Sequence, residues 1–429
     1  MTETDLNFEI AHLGPCRIPS PMNGVRFVND DTRVSYESHL GSILGCLDEG
    51  RALPGMELAG PREKIYFDPS KLKCGIVTCG GVCPGLNEVI RALVMSLFYH
   101  YGVQTVFGFK YGFEGLTYRY GHTPLELTPQ NVNFVHGLGG SILGTSRGPQ
   151  DVSEMVDCLE RLNIGILFAI GGDGTLKGAG AIAAEIEQRG LKTAVIGIPK
   201  TIDNDISFIE KSFGFETAVT AASKITNASH IEATGHRNGI GLVKLMGRES
   251  GFIAAYSVLA DNNVNFCLIP EVPFTLEGFL PVLEKRLERR GHAVIVVAEG
   301  AGQNLLHSQQ ERDASGNIRF GDIGLFLKDA INDHFKELGR EVNLKYFDPS
   351  YTIRSVPATP HDSAFCLLLG HNAVHAAMTG RTNMVLGLWK GEFTHVPISL
   401  AVSKRKQIDP GGWLWSSVLA STGQPRHMG

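Results

Sequence analysis

Among its eight cysteines (Cys16, Cys46, Cys74, Cys79, Cys83, Cys158, Cys267 and Cys366) the chain has no C-x-x-C pair and no cysteine–histidine spacing of a metal site. That absence excludes a zinc module and a dithiol redox motif, and leaves reduced thiols in a cytoplasmic protein as the expectation. No apolar run approaches the ~20 residues that cross a bilayer, and no N-terminal stretch joins basic residues to an apolar core, so neither a membrane span nor a secretion signal is expected. The sequon Asn227-Ala228-Ser229 therefore reads as a chance match inside a helical stretch. Basic charge is not in excess either: the formal net charge is -5, and lysines and arginines are scattered, which leaves no basic stripe for nucleic acid. Low-complexity segments and clean short repeats are also missing.

What is present is a glycine-rich α/β pattern. At 429 residues with 43% hydrophobic content and 51 glycines, the chain is too long for one simple core and suggests two α/β lobes. Residues 1–70, with early prolines and weak periodicity, read as an extension wrapped on the body or part of a subunit contact. Residues 71–235 and 236–390 each alternate apolar strands with amphipathic helices, and 391–429 reads as a segment packing back on the body. Strands are expected at 72–78, 103–108, 240–245, 265–269, 293–298 and 383–388. Helices are expected at 153–162, 216–233, 275–290, 323–338 and 363–378.

Two strand-to-loop junctions organise this pattern. In IGILFAIGGDGTLKGAG an apolar strand breaks at Gly171-Gly172, presents Asp173, and enters a helix through Gly174-Thr175. Glycines let backbone approach a phosphate, and a helix N-terminus offers unpaired N–H groups to an anion. In LKTAVIGIPKTIDNDI a second strand leads to Lys200, Thr201, Asp203 and Asp205. Taken singly, Gly-Gly-Asp-Gly reads equally well as an ordinary turn, and Asp203 with Asp205 as a solvated turn that caps the next helix. Their shared place beyond the carboxyl ends of parallel strands, where open sheets bind ligands, favours function. Gly80 to Gly85 form a further glycine-rich turn without the GK[ST] ending of a P-loop, and Arg147 stands in a loop as either a solvated residue or a phosphate ligand. The strand ends at Met246-Gly247-Arg248 and at Glu299 add an anion-binding candidate and another carboxylate, and LKYFDPSYTIRS carries Lys345, Tyr351 and Arg354. Such a set suits phosphoryl transfer, in which catalysis is mostly positioning and charge neutralisation. Asp173 suits magnesium, Arg147 and Lys200 suit the transferring group, Asp203 suits a general base, and Arg248 with Arg354 suit a second anion.

Together, GGVCPGLN, GTSRG, GGDGT, PKTIDND, MGRESG, AEG and YTIR occur in the order found in 6-phosphofructokinases, and the chain resembles that family from about Leu72 into its last third. The resemblance implies two Rossmann-like α/β lobes with parallel-rich sheets and the active site in the cleft. It implies ATP held by Gly81, Arg147, Gly148, Gly172, Asp173, Gly174 and Thr175, with Mg2+ at Asp173. Lys200, Thr201, Asp203 and Arg248 would serve catalysis, with Asp203 activating the 1-hydroxyl of fructose 6-phosphate. Thr201, Ile202, Asp203, Met246, Gly247, Arg248, Glu299, Tyr351, Thr352, Ile353 and Arg354 would hold the sugar phosphate. An allosteric homodimer or homotetramer of glycolysis is the corresponding assembly. Two departures stand out. Tyr351 replaces the histidine of a common His-x-x-Arg pair, and Lys345 matches a neighbouring-subunit arginine too loosely to join the site. For the donor, pyrophosphate-using relatives typically carry aspartate at the position of Gly174, whereas Lys200 resembles those same relatives. A carboxylate at 174 would exclude ATP while a lysine assists either donor, so ATP is the expected donor and pyrophosphate the alternative. A NAD or lipid kinase shares GGDGT but not PKTIDND with MGR, and a non-catalytic regulatory subunit would be expected to lose Asp173 or Asp203.

Overall fold

The computed structural model describes residues 6–306 and 320–429. In chain order the principal strands are β1 (Lys73–Thr78), β2 (Thr105–Phe109), β3 (Ile166–Gly171), β4 (Ala194–Pro199), β5 (Gly239–Leu245), β6 (Phe266–Leu268), β7 (His292–Ala298), β8 (Asn343–Phe347) and β9 (Met384–Trp389). The principal helices are α1 (Leu86–Ser96), α2 (Val152–Arg161), α3 (Asp173–Gln188), α4 (Phe215–Thr234), α5 (Phe252–Ala260), α6 (Leu276–Arg290), α7 (Ile323–Glu337), α8 (Pro360–Met378) and α9 (Trp413–Thr422).

Two compact units arise from discontinuous stretches. One joins Met1–Thr201, Ile206–Phe213 and Pro357–Lys404, and the other joins Ile202–Asp205, Gly214–Val356 and Arg405–Gly429. A linear division at 70, 235 and 390 has no means of expressing such crossings, because each is made by distant segments.

In the first unit β2-β1-β3-β4-β9 run parallel at the centre of a nine-stranded sheet. β3 and β4 are fully buried, as the continuous apolar runs LFAI and AVIGI require when helices cover both faces. The residues before position 70 do more than wrap this body. Arg33–Ser35, at the edge, and Gly55–Leu58 beside it enter the sheet as antiparallel strands, joined to β9 through Glu392–Pro397. Phe8 and Met56 lie in the core cluster of that unit. The 391–429 stretch likewise supplies a sheet strand and then α9.

The N-terminal residues are pinned by buried charge. Arg381 donates from Nε to Glu57 at 2.7 Å and from Nη2 to Asp30 at 2.9 Å, and His395 Nδ1 stands 3.0 Å from the same Glu57 carboxylate. Burial alone would raise the Glu57 pKa, but the His12 and His395 contacts and the Arg381 charge outweigh it and hold this carboxyl well below the ordinary range. Burial also lowers His395 to about 4, His371 to about 4 and His375 to about 3. An unfolded histidine takes a proton near pH ~6.5 and these do not, so their stability contribution is complete above that value and drains away as the pH falls toward 4. Glu57 loses its contribution in the same direction, below the unfolded carboxylate value near ~4.3. The thermal midpoint of the wild type relative to a His371→Asn variant is therefore expected to be constant above pH ~6.5 and to fall below it; a difference unchanged from pH ~7 down to ~4.5 would refute this account.

In the second unit β6-β7-β5-β8 form an all-parallel sheet. Its core joins Leu242, Ile295 and Val297 of the sheet to Phe279 and Leu283 of α6 and Leu327 and Phe335 of α7. The strand β8 lay outside the sequence expectation because its residues are only half-buried or exposed, which blurs the apolar signal. Among the described residues no helix is long and apolar enough to cross a membrane, and all eight cysteines are free thiols.

Candidate active site

The order β2-β1-β3-β4-β9 reverses direction between β1 and β3, since the chain leaves β1 toward β2 and leaves β3 toward β4. Open α/β sheets bind ligands at that reversal, outside the carboxyl ends of the strands. There the loops converge. Cys79 N donates to Ile170 O at 3.0 Å, Gly80 N to Ser146 O at 2.9 Å, and Lys200 N to Gly171 O at 2.9 Å. These bonds set the turn after β1, the Ser146-Arg147-Gly148 loop, the turn after β3 and the end of β4 side by side. Lys200 is buried, and its Nζ donates to Gly81 O at 2.6 Å.

Glycine is demanded here by contact. A Cβ at Gly171 would overlap the Thr175 side chain, so β3 can turn into α3 this tightly only without one. Gly80 has φ of +84° and a Cβ there would stand 3.4 Å from Lys200 Nζ. Gly172 is the N-cap of α3, and no N-cap side chain takes up the N–H groups of its first turn. Asp173 opens α3 with its carboxylate 12% exposed and 2.9 Å from Lys177 Nζ. Gly174 is exposed, and a Cβ on it would meet nothing within 4 Å. Arg147 is exposed, Gly148 has φ of +103°, and the Thr201 carbonyl accepts from Ser212 Oγ at 2.6 Å. The first unit thus gathers Gly81, Arg147, Gly148, Gly172, Asp173, Gly174, Thr175, Lys200 and Thr201.

The second unit gathers Met246, Gly247, Arg248, Glu299 and the Tyr351-to-Arg354 turn at the carboxyl ends of β5, β7 and β8, together with Ile202 and Asp203, which follow β4. Glu299 N donates to Leu245 O at 2.9 Å and Gly300 N to Gly247 O at 3.1 Å, which locks the Met246-Gly247-Arg248 turn against Glu299. Gly247 has φ of +133°. The Arg248 guanidinium lies 4.3 Å from the Phe320 ring centroid, and that of Arg354 lies 4.8 Å from the Tyr351 ring centroid. Tyr351, standing where a histidine is common, is thus a platform for the neighbouring arginine. Thr352 is exposed, whereas Ile353 and Ile202 are buried and anchor their turns.

Burial, together with the charges of Asp205 and Glu299, pushes Asp203 up to about 8 against the opposing pull of Arg405 and Arg354. Burial raises Glu299 too, opposed by Arg248, Lys244 and Arg354. Three residues beyond the sequence reading take part. Arg405 Nη1 donates to Asp205 Oδ2 at 2.7 Å. Glu271 accepts from Gly251 N at 2.9 Å. Lys244 binds Asp322 and Asp348, each at 2.8 Å. Of these, only Lys244, a charge inside the apolar strand GIGLVKL, carried a signal in the sequence.

The fold and this gathering define an α/β protein whose glycine-, carboxylate- and arginine-bearing loops lie at strand carboxyl ends. A sequence model described as "Phosphofructokinase" matches residues 73–377. The ATP-dependent 6-phosphofructokinase of Borreliella burgdorferi is 48% identical over 441 residues, spanning 99% of this chain and 98% of that protein. The ATP-dependent 6-phosphofructokinase of Amycolatopsis methanolica is 47% identical, spanning 97% and 95%. A solved structure described as a pyrophosphate-dependent phosphofructokinase from Marinobacter aquaeolei has the same fold, with a TM-score of 0.66 at 20% identity over 79% of this chain and 86% of that one. The chain belongs to the phosphofructokinase family.

Proposed function

We infer that the chain transfers the terminal phosphoryl group of ATP to the 1-hydroxyl of fructose 6-phosphate, giving fructose 1,6-bisphosphate and ADP in glycolysis. The observation that carries the ATP reading within the family is the open, uncharged position Gly174 at the uncapped start of α3. In this reading the Gly81 turn, Arg147, Gly148 and the Gly172-to-Thr175 N–H groups bind the nucleotide, and Lys200 neutralises the transferring group. The 1-hydroxyl oxygen forms its bond to the terminal phosphorus as the bridging P–O bond breaks and ADP leaves. Asp203 takes the hydroxyl proton and releases it to solvent after transfer. A carboxylate raised to about 8 accepts that proton more readily than an ordinary one, at the cost of being part-protonated at neutral pH. Thr201, Ile202, Met246, Gly247, Glu299 and the Tyr351-to-Arg354 turn shape the sugar-phosphate side, where Arg248 and Arg354 meet the phosphate.

Asp173 fits magnesium as a single hard oxygen donor. Among the described residues no group of three or more His, Cys, Asp or Glu is close enough to form a cage. That suits an ion that takes few carboxylates and draws its other ligands from phosphate and water. When bound, the ion would neutralise phosphate charge, and Lys177, now paired with Asp173, would have to share that carboxylate. The eight free thiols suit the cytoplasm, and a homodimer or homotetramer is the assembly the family resemblance supports.

A coupled assay with fructose 6-phosphate and ATP, pyrophosphate or neither, over a magnesium titration, tests this reading. Turnover with ATP and magnesium is expected, and preference for pyrophosphate would overturn the donor. Arg354→Ala is expected to raise the KM for fructose 6-phosphate by roughly 10-fold or more, since a charge-assisted bond contributes about 1.5–3 kcal/mol, while the KM for ATP stays near wild type. Equal changes in both would assign Arg354 a structural role.

A further inference from the structure

We propose that residues 405–408 form a strap that sets the Asp203 loop in register with the Arg248 loop, and that Arg405 is a positioning residue for phosphoryl transfer. The inference rests on the reading of Asp203 as the proton acceptor. Consecutive residues of the strap reach Asp205, Glu249 and Glu271 in turn. Arg405 Nη1 donates to Asp205 Oδ2 at 2.7 Å, and its Nε stands 3.9 Å from Glu249 Oε2. Lys406 N donates to Asp205 O at 2.8 Å, and its Nζ lies 5.3 Å from the Phe252 ring centroid at the start of α5. Gln407 Nε2 donates to Glu249 O at 2.9 Å. Ile408 N donates to Glu271 Oε1 at 2.9 Å, and the same carboxylate accepts from Gly251 N, three residues after Arg248.

This arrangement exceeds what closing the chain needs. Two bonds grip the loop that carries Asp203, and the remaining contacts hold the segment that follows Arg248, at Glu249, at Phe252 and, through Glu271, at Gly251. An extended chain advances ~3.3 Å per residue, so so short a strap allows little play between the two loops. Base and phosphate clamp act on opposite ends of one small sugar, and an error near 1 Å between them costs about 100-fold in rate.

Charge gives the strap a second effect. The groups acting on Asp203 are the carboxylates Asp205 and Glu299 and the cations Arg405 and Arg354. In the proposed reading Arg354 is shared with the sugar phosphate once substrate binds. Arg405, fixed on Asp205, is the cation that stays with the carboxylates throughout, and the Asp203 loop keeps its shape against their mutual repulsion.

Arg405→Met and Arg405→Lys should be compared with wild type for kcat, both KM values, the pH profile of kcat/KM and the thermal midpoint. Arg405→Met is expected to lower kcat roughly 10–100-fold, to move the acid limb up by about 1 pH unit, and to leave the KM for ATP unchanged. Arg405→Lys is expected to return the limb toward wild type while recovering kcat only in part, because the planar fork is lost. A wild-type limb in Arg405→Met overturns the proposal, whether kcat is kept or is lost together with the thermal midpoint. If Arg405→Met does not fold, Gln407→Ala carries the test: a KM for fructose 6-phosphate raised several-fold, with the ATP KM and limb unchanged, supports the strap, and an unchanged KM overturns it. Asp203→Asn run in parallel separates the two layers. Activity retained there fells the base assignment, whereas an inactive Asp203→Asn beside a wild-type Arg405→Met fells only the strap.

Discussion

Asp203→Asn is expected to lower kcat by ~10²–10⁴ while nucleotide binding survives, because the lost group is proposed to act on the sugar hydroxyl and not on ATP. The exchange keeps the shape of the side chain and removes its capacity to take a proton. Wild type should show the same residue in its pH profile. With Asp203 raised to about 8 by burial and by the Asp205 and Glu299 charges, the active, deprotonated form is a minority at pH 7, so kcat/KM should climb as the pH passes through 8. Removing Glu299's charge with Glu299→Gln takes away one of the repelling carboxylates and should move that limb down in pH, opposite to the shift expected for Arg405→Met. A profile flat from pH 6.5 to 9, or an Asp203→Asn enzyme with most of its kcat, would remove Asp203 from the role.

The parts of the fold legible in the sequence were those whose signal is local. β3 and β4 announce themselves as apolar runs ending in glycine or proline, and α2 and α6 as the helical stretches expected at 153–162 and 275–290. The junctions after β3 and β4 were legible because glycine and carboxylate crowd where a parallel strand stops. Illegible elements depend on distant partners. Gly55–Leu58 is four residues long and becomes a strand by pairing with Glu392–Pro397. Glu57 is buriable because Arg381 and His395 come to it from more than three hundred residues away.

The same reasoning explains what was missed in the site. Arg405 lies in a basic run, Lys404-Arg405-Lys406, whose ordinary reading is a solvated tail. Its contact with Asp205 spans 200 residues of chain, and no spacing rule reaches that far. Glu271 follows a strand end as many carboxylates do, and only the fold shows it collecting the N–H groups of Gly251 and Ile408. The residues proposed to touch substrate were readable from chemistry at strand ends, whereas those proposed to hold them in register needed the tertiary structure.

Gly174→Asp is expected to abolish most ATP use while leaving the protein folded, and the structure separates those two outcomes. A Cβ at 174 meets nothing within 4 Å, so the new side chain has room in the ligand-free chain. Its position in the first turn of α3, beside Asp173, is where the helix N-terminus favours negative charge. The thermal midpoint should therefore hold or rise slightly. Against ATP the same carboxylate would face the α-phosphate, a like-charge contact worth ~1–4 kcal/mol at 4 Å between water and a protein surface, or roughly 5–1000-fold in kcat/KM. Gly174→Ala adds volume without charge and, given the open space, should stay much nearer wild type, which isolates the electrostatic part. Lys200, buried and bonded to the Gly81 carbonyl, is untouched by either change and keeps a cation ready for a smaller donor. Some turnover with pyrophosphate in Gly174→Asp is the corresponding expectation. The measurement is kcat/KM for each donor in wild type and both variants. An aspartate variant that uses ATP as well as its parent, or an alanine variant that loses as much as the aspartate, would show that charge at 174 does not choose the donor.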